Sequence, residues 1–334
     1  MGVLRILLAL SVGICHSVPI FDLSLCGGDL AVELFFLISG FYMALILTRK
    51  YDRAVDFFKA RAIRLYPIYW ITLAISLIFD FADLWLRGRP GPGLTMWMQH
   101  PPAGMAAFHM IFANLTFFGS FPINADYLFV HQSWTLGVEV LFYLTAPYLL
   151  RRMRLIFPSL AVSLILAHVS FGGMERFFGF FWPLFLSGAL VYHLSQRGLG
   201  IKNPAMGVAG WGAIFFQPTS WIGCTTFFVI VALSLPALFD FTNRNLWDRR
   251  LGELSYPAYI MHWLVLFLVY QVHDRVPALL FSILCPVGIL TAGWMVWRLD
   301  EWWQPSLRKF FLGDAFKEIR ERERREPGLG SATF

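Results

Sequence analysis

RKYDRAVDFFKARAIR, residues 49–64, places six of the chain's 27 lysines and arginines between two apolar runs. The run before it (29–48) and the run after it (65–85) are each about 20 residues long, the length a helix needs to cross a bilayer. Short cationic loops stay on the cytoplasmic side of a membrane. The segment therefore reads as a cytoplasmic turn between two membrane helices. RRMR at 151–154 is a second such marker. Between two cytoplasmic markers a chain crosses an even number of times. The runs 65–85 and 133–150 supply two crossings. Residues 86–132, with a weaker apolar run at 107–120, are thus expected to form an external excursion, partly re-entrant or interfacial.

Working outward, the same reading gives ten spans: 3–20, 29–48, 65–85, 133–150, 155–171, 177–195, 205–218, 221–240, 254–271 and 277–298. The expected fold is all-α, a polytopic membrane protein of about ten transmembrane helices with both termini cytoplasmic. Of the 27 basic residues, all but Arg87, Arg89, Arg176 and Arg275 then fall on the cytoplasmic side. The net charge of +6 is accounted for by topology and gives no reason to expect nucleic acid as a partner. Composition agrees: 57% hydrophobic residues, 14% charged, against about 25% charged in a soluble domain. Residues 1–310 read as one membrane domain and 311–334 as a charged cytoplasmic tail. KEIRERERREP, with both signs at helical spacing, is expected to be a solvated or membrane-surface helix without chemistry of its own. The first helix is expected to be retained, because no A-x-A-like cleavage site follows it. LSLCGG at 23–28 has Leu25 where a lipoprotein box needs a small residue. The four cysteines have no metal-ligand spacing, and no metal is expected.

Ionisable residues inside such spans are costly and point to function. RILLALSVGICH (5–16) carries an arginine and a histidine eleven residues apart. On a helix they share one face and differ in depth by about 16 Å. DLAVELFFLISGFY (29–42) puts Asp29 and Glu33 four apart on one face, with Glu33 near the depth of His16. Ser39–Gly40 would let helices pack closely. KARAIRLYPIYW (59–70) puts Arg61 and Arg64 on one face at the cytoplasmic start of a helix, where two guanidiniums can clamp a phosphate or serve only as topology anchors. HQSWTLGVEVLFYL (131–144) gives a polar stripe of Gln132, Thr135, Glu139 and Tyr143, with Glu139 also placed near His16 in depth. LGELSYPAYIMHWLV (251–265) adds Glu253, Ser255, Tyr256 and His262, with Pro257 freeing backbone groups that neighbours must satisfy.

These segments, in this order, resemble the acyltransferase 3 family of membrane acyltransferases. Arg5 and His16 match its arginine-x10-histidine pattern. AVELFFLISGF resembles G-V-D-L-F-F-x-x-S-G-F, with Glu33 for aspartate and Ala31 for glycine. Arg61, Arg64 and Pro67 resemble R-x-x-R-x-x-P. Trp134, Glu139 and Tyr143 resemble W-S-L-x-x-E-x-x-F-Y. Ser255, Tyr256, Tyr259 and His262 resemble L-G-x-x-S-Y-x-x-Y-x-x-H, and DEWWQP is similar to an E-x-P ending, with Glu301 further from Pro305. The resemblance spans residues 5 to about 310. It implies transfer of an acetyl or other short acyl group from cytosolic acyl-CoA to a hydroxyl of a saccharide, on a surface polysaccharide, lipopolysaccharide or glycoconjugate, in a bacterial inner membrane. It also implies roles. His16, Glu139 and Glu33 would be catalytic, the carboxylate partner of His16 being either glutamate. Arg5, Arg61 and Arg64 would hold the acyl-CoA, with acetyl-CoA the expected donor, and Trp134, Tyr143 and His262 the acceptor. Two rivals use the same charges: a secondary transporter with a proton relay, and a non-catalytic scaffold in which they only join helices.

Overall fold

A computed structural model describes residues 1–17, 25–166, 181–201, 203–212, 221–243, 245–272 and 275–325. Parts of the expected spans 3–20, 155–171, 177–195 and 205–218 lie outside the described residues, as do Arg176, Lys202 and Arg244. The described chain is helical and contains no strand. A helix coincides with each of the ten expected spans. These are α1 (Gly2–Cys15), α2 (Gly28–Arg49), α3 (Ala54–Arg87), α6 (Trp134–Leu149), α7 (Met153–Leu166), α8 (Trp182–Gln196), α9 (Pro204–Gly212), α10 (Trp221–Thr242), α11 (Leu246–Tyr270) and α12 (Ala278–Leu312). Among the described residues four of them, α2, α3, α11 and α12, are long and apolar enough to cross a membrane alone.

The basic turn is shorter than the sequence suggests. Helix α3 starts at Ala54, so Lys59, Arg61 and Arg64 are helical and continue into the apolar run without a break. Pro67 does not end the helix, although it removes the N–H that would bond the Ile63 carbonyl. Gln304 of α12 donates to that carbonyl at 2.9 Å instead. Pro257 in α11 frees the Glu253 carbonyl in the same way, and Arg64 Nη2 lies 3.4 Å from it. Two helix-breaking residues are thus tolerated because side chains of adjacent helices supply the missing donors.

At the core, α2 is clasped by α8. A Cβ at Gly40 would sit 1.9 Å from the Phe185 carbonyl oxygen, and one at Gly188 would sit 1.9 Å from the Leu37 carbonyl oxygen. The contacts are backbone on both sides, so no rotamer change can relieve them. Gly188→Ala is therefore expected to cost at least the 1–3 kcal/mol, roughly, of an overpacked core, read as a lower melting point in detergent. An unchanged melting point would mean that α2 and α8 separate freely.

The excursion at 86–132 folds as α4 (Pro92–Gln99), α5 (Gly104–Thr116) and two 3-10 turns, Pro122–Tyr127 and His131–Ser133. It reaches deep along α3. Asp80 lies against Gly91 and Gly93, whereas the end of α5 meets the middle of α3. There the Tyr66 hydroxyl donates to the Thr116 carbonyl at 2.7 Å and Tyr69 to that of Asn114 at 2.5 Å. Residues 69 and 80 differ by about 16 Å along a helix, so the excursion covers that length of α3. The exposed stripe of α5, Met105, Phe108, Ile111, Phe112 and Leu115, suits lipid.

The basic side chains gather at one end. Arg49 donates to Gln196, and Arg151 Nη2 to the Tyr51 carbonyl at 2.9 Å. The backbone N–H groups of Gly2 and Val3 donate to Asp248 at 2.7 and 2.9 Å, tying the start of α1 to the start of α11. The tail departs from expectation here. Its helical part, α13 (Ala315–Arg325), is docked on the bundle: Lys50 pairs with Glu323 at 2.5 Å, and Arg322 grips Asp52 with two bonds of 2.9 and 2.5 Å. The reason lies in its apolar stripe. Phe316 packs against the core and Ile319 is buried, which a freely solvated helix would not provide.

Candidate active site

Three cavities lie along the axis from the basic end to the opposite end. The first, about 620 Å³, is lined by Arg64, Arg249, Glu253, Asp300, Gln304 and Arg308, among others. The second is small, about 70 Å³, and holds Arg5, Ser39, Thr135, Glu139, Ser255, Tyr256 and Tyr259. The third, about 640 Å³, holds His16, Asp29, Glu33, His131, Trp134, Tyr259, His262 and Trp263. The second and third share a wall, and the first approaches the second. Val32 and Tyr259 line both the second and the third. Tyr256 lines the second, and the Arg64 guanidinium from the first lies 5.9 Å from its ring. Arg5 and Arg64 flank one turn of α11. A Cβ at Gly252 would lie 3.1 Å from Arg5 Nη1, and Arg64 faces the Glu253 carbonyl.

His16 caps the last turn of α1 and stands at the far end of this line. Its ring stacks on His262 with centroids 5.8 Å apart and planes 10° from parallel, and meets Trp263 edge-on at 5.2 Å. His262 Nδ1 lies 2.5 Å from the Tyr259 carbonyl oxygen. A carbonyl only accepts, so Nδ1 carries the proton and Nε2 keeps a lone pair when the ring is neutral. Close packing holds the two rings together: a Cβ at Gly13 would touch Ile289 at 2.5 Å and His262 at 3.5 Å.

Of the two glutamates that the sequence places at the depth of His16, Glu33 shares the third cavity with it. Glu139 does not. It lines the second cavity with Arg5, accepting from the Ser39 hydroxyl at 2.7 Å and the Tyr143 hydroxyl at 2.5 Å. The expected span begins at 133 and α6 begins at Trp134, directly after a 3-10 turn, so the helix start agrees with expectation. The polar stripe itself persists, since Thr135, Glu139 and Tyr143 follow one another down α6. Trp134 lines the third cavity beside His16. Tyr143 is buried against Glu139 and does not line these three cavities. Arg61 and Arg64 also part. Arg64 lines the first cavity, while the buried Arg61 guanidinium lies 5.7 Å from the Phe57 ring.

Sequence reasoning passed over His131 and Trp263. His131 stacks on Trp263 at 5.0 Å, so Trp263 stands between two imidazoles at the mouth of the third cavity. Adjacency was the available signal, for Trp263 follows His262 and His131 opens the segment that carries Trp134. Among the described residues no group of three or more His, Cys, Asp or Glu side chains could hold a metal ion.

The family profile described as an acyltransferase domain, that of acyltransferase 3, matches residues 1–298. The chain belongs to the acyltransferase 3 family. Similar proteins include "O-acetyltransferase OatA" of Staphylococcus aureus, 26% identical over 315 residues, 78% of this chain and 50% of that protein. "Nodulation protein 10" of Rhizobium leguminosarum bv. viciae is 25% identical over 326 residues, 86% of this chain and 84% of that protein. "Exopolysaccharide production protein ExoZ" of Rhizobium meliloti is 30% identical over 118 residues, 35% of this chain and 32% of that protein. The chain thus spans half or less of OatA and ExoZ. No solved structure matches.

Proposed function

We propose that this chain is a membrane O-acyltransferase that takes a short acyl group from acyl-CoA at its basic end and delivers it to a saccharide hydroxyl at the His16 end. The observation that carries the reading is that Arg64, Arg5 and His16 line three neighbouring cavities, the second and third sharing Val32 and Tyr259 and the first approaching the second where Arg64 faces Tyr256. The basic residues around the first cavity support a cytoplasmic location for that end, in a proposed topology of ten crossings with both termini on that side. An acyl-CoA is a polyanion at one end and a thioester at the other. Arg64, then Arg5, would hold phosphate oxygens, and the slender pantetheine arm would run inward along the line of cavities. The relatives' printed names support the acceptor class, since they join O-acetyl transfer to exopolysaccharide production.

The chemistry needs a base, because a hydroxyl attacks poorly while it keeps its proton. His16 takes that proton as the acceptor oxygen bonds to the thioester carbonyl carbon. The carbon–sulfur bond then breaks, and the departing thiolate takes the proton back from the imidazolium. An ester and free CoA result. Glu33, in the same cavity, supports the transient imidazolium. Trp134 and Trp263 offer aromatic faces to a sugar ring, and His262 Nε2 offers a hydrogen-bond site for a neighbouring hydroxyl.

The test is turnover of radiolabelled acetyl-CoA by the purified full chain in detergent, as hydrolysis or acetyl exchange. Release of labelled acetate or exchange into CoA is expected. Absence of both turnover and binding, in protein with an intact melting transition, would overturn the reading. Counterflow of a labelled solute in vesicles would favour transport in its place.

A further inference from the structure

The first cavity has a wall that the family match does not include. Residues beyond 298, at the end of α12 and on α13, close one side of it through Arg308, Phe316 and Arg320. The tail thus meets the same space as Arg64.

The charge inventory of that space is uneven once existing bonds are counted. Asp300 accepts from Trp303 Nε1 and Gln304 Nε2, each at 3.0 Å. Glu301 is paired with Arg298 at 2.7 Å and Glu323 with Lys50 at 2.5 Å. Two of the four carboxylates on the wall, Glu301 and Glu323, are therefore offset by cations that do not line it, whereas Asp300 is bonded to neutral donors. The wall's four arginines outnumber the two carboxylates that remain, Glu253 and Asp300. Arg64 is 5% exposed, its Nε has no partner, and its one long bond goes to the carbonyl freed by Pro257. Arg308 donates only through Nε, to Gln304 at 3.2 Å, which leaves both terminal amino groups of its fork toward other acceptors. Buried guanidinium N–H groups without acceptors are costly. Forks converging from different helices form a site for phosphate oxygens, which each can take two at a time.

We infer that α13 and the last turns of α12 are part of the donor site: Arg308 and Arg320 close over Arg64 to bind the phosphate-bearing nucleotide head of the acyl-CoA. The inference rests on the acyl-CoA reading above and assigns a binding role to the tail. The Lys50–Glu323 and Arg322–Asp52 pairs hold α13 in that position on the turn between α2 and α3. Arg322 also holds the Asp52 carboxyl below the ordinary carboxylate range, so this latch is ionised at neutral pH.

Calorimetric titration of CoA into the purified full chain in detergent tests the assignment. Wild type is expected to bind. Arg308→Gln/Arg320→Gln is expected to bind at least tenfold more weakly. Arg324→Gln/Arg325→Gln removes the same charge from the tail at positions that do not line the cavity, and is expected to bind as wild type does. Arg320→Gln alone, at an exposed position, keeps the test intact if loss of Arg308 disturbs α12. It is expected to weaken binding severalfold. Wild-type affinity in both Arg320 variants would overturn the inference and leave the acyl-CoA reading standing. Equal weakening by the two double variants would reduce the effect to net charge and also overturn it. A wild-type protein that binds no CoA would remove the reading on which it rests.

Discussion

Replacing His16 by alanine is expected to lower acyl transfer by about 10²- to 10⁴-fold, the usual contribution of a positioned general base. The loss should fall on kcat, with the KM for acyl-CoA little changed, because the phosphate-binding arginines lie at the other end of the line of cavities. Stability should hardly move. The His16 ring is largely exposed, touches its neighbours through ring contacts, and has no hydrogen bond for a truncation to strand. His262 makes the contrast. It is 1% exposed and bonded to the Tyr259 carbonyl, so His262→Ala should lose melting temperature along with activity. Rates in single turnover, with melting curves for both variants, separate the two. Retention of more than about a tenth of the rate by His16→Ala would move the base elsewhere. The same assay decides between the glutamates. Glu33 shares the cavity with His16, so Glu33→Gln should slow the chemical step.

The sequence made the fold legible where one physical rule acted alone. Apolar runs predicted ten helical segments, and a helix overlaps each of them among the described residues, four being long and apolar enough to cross a membrane alone. The sequence was silent where a local rule has a tertiary answer. Pro67 and Pro257 predict disturbed helices, yet α3 and α11 run on because Gln304 and Arg64, far away in the chain, meet the freed carbonyls. The tail was read by charge, and charge alone predicts a solvated helix. Its docking depends on Phe316 and Ile319, two apolar positions in a charged run. Site residues were found as types and spacings, and depth was the weakest step. His16 and Glu33 line one cavity, His16 at the end of α1 and Glu33 in the first turns of α2. Which cavity Glu139 lines depends on how α6 packs against α2, where Ser39 holds it, and spacing does not give that.

Glu139→Ala is expected to destabilise the protein by about 1–3 kcal/mol, the cost of leaving buried hydroxyls without their acceptor beside a buried guanidinium. Among the residues lining the second cavity, Glu139 is the carboxylate and Arg5 the cation. Arg5 is 2% exposed and cannot reach water to compensate. The substitution also leaves the hydroxyls of Ser39 and Tyr143 without their acceptor. Glu139→Gln keeps an oxygen for those hydroxyls and removes the charge, so it should cost less than alanine and still more than a surface change. Arg5→Met alone tests the cation that lines the same cavity. The combination Arg5→Met/Glu139→Gln removes both charges that line it. The double variant should therefore melt above the sum of the single losses, with a coupling of about 1 kcal/mol or more between the two sites. Simple additivity would mean that Arg5 and Glu139 are neutralised by other groups. The double variant also separates stability from function. If Arg5 holds a phosphate oxygen of the donor, a protein restored to normal melting by the second substitution should still bind CoA weakly.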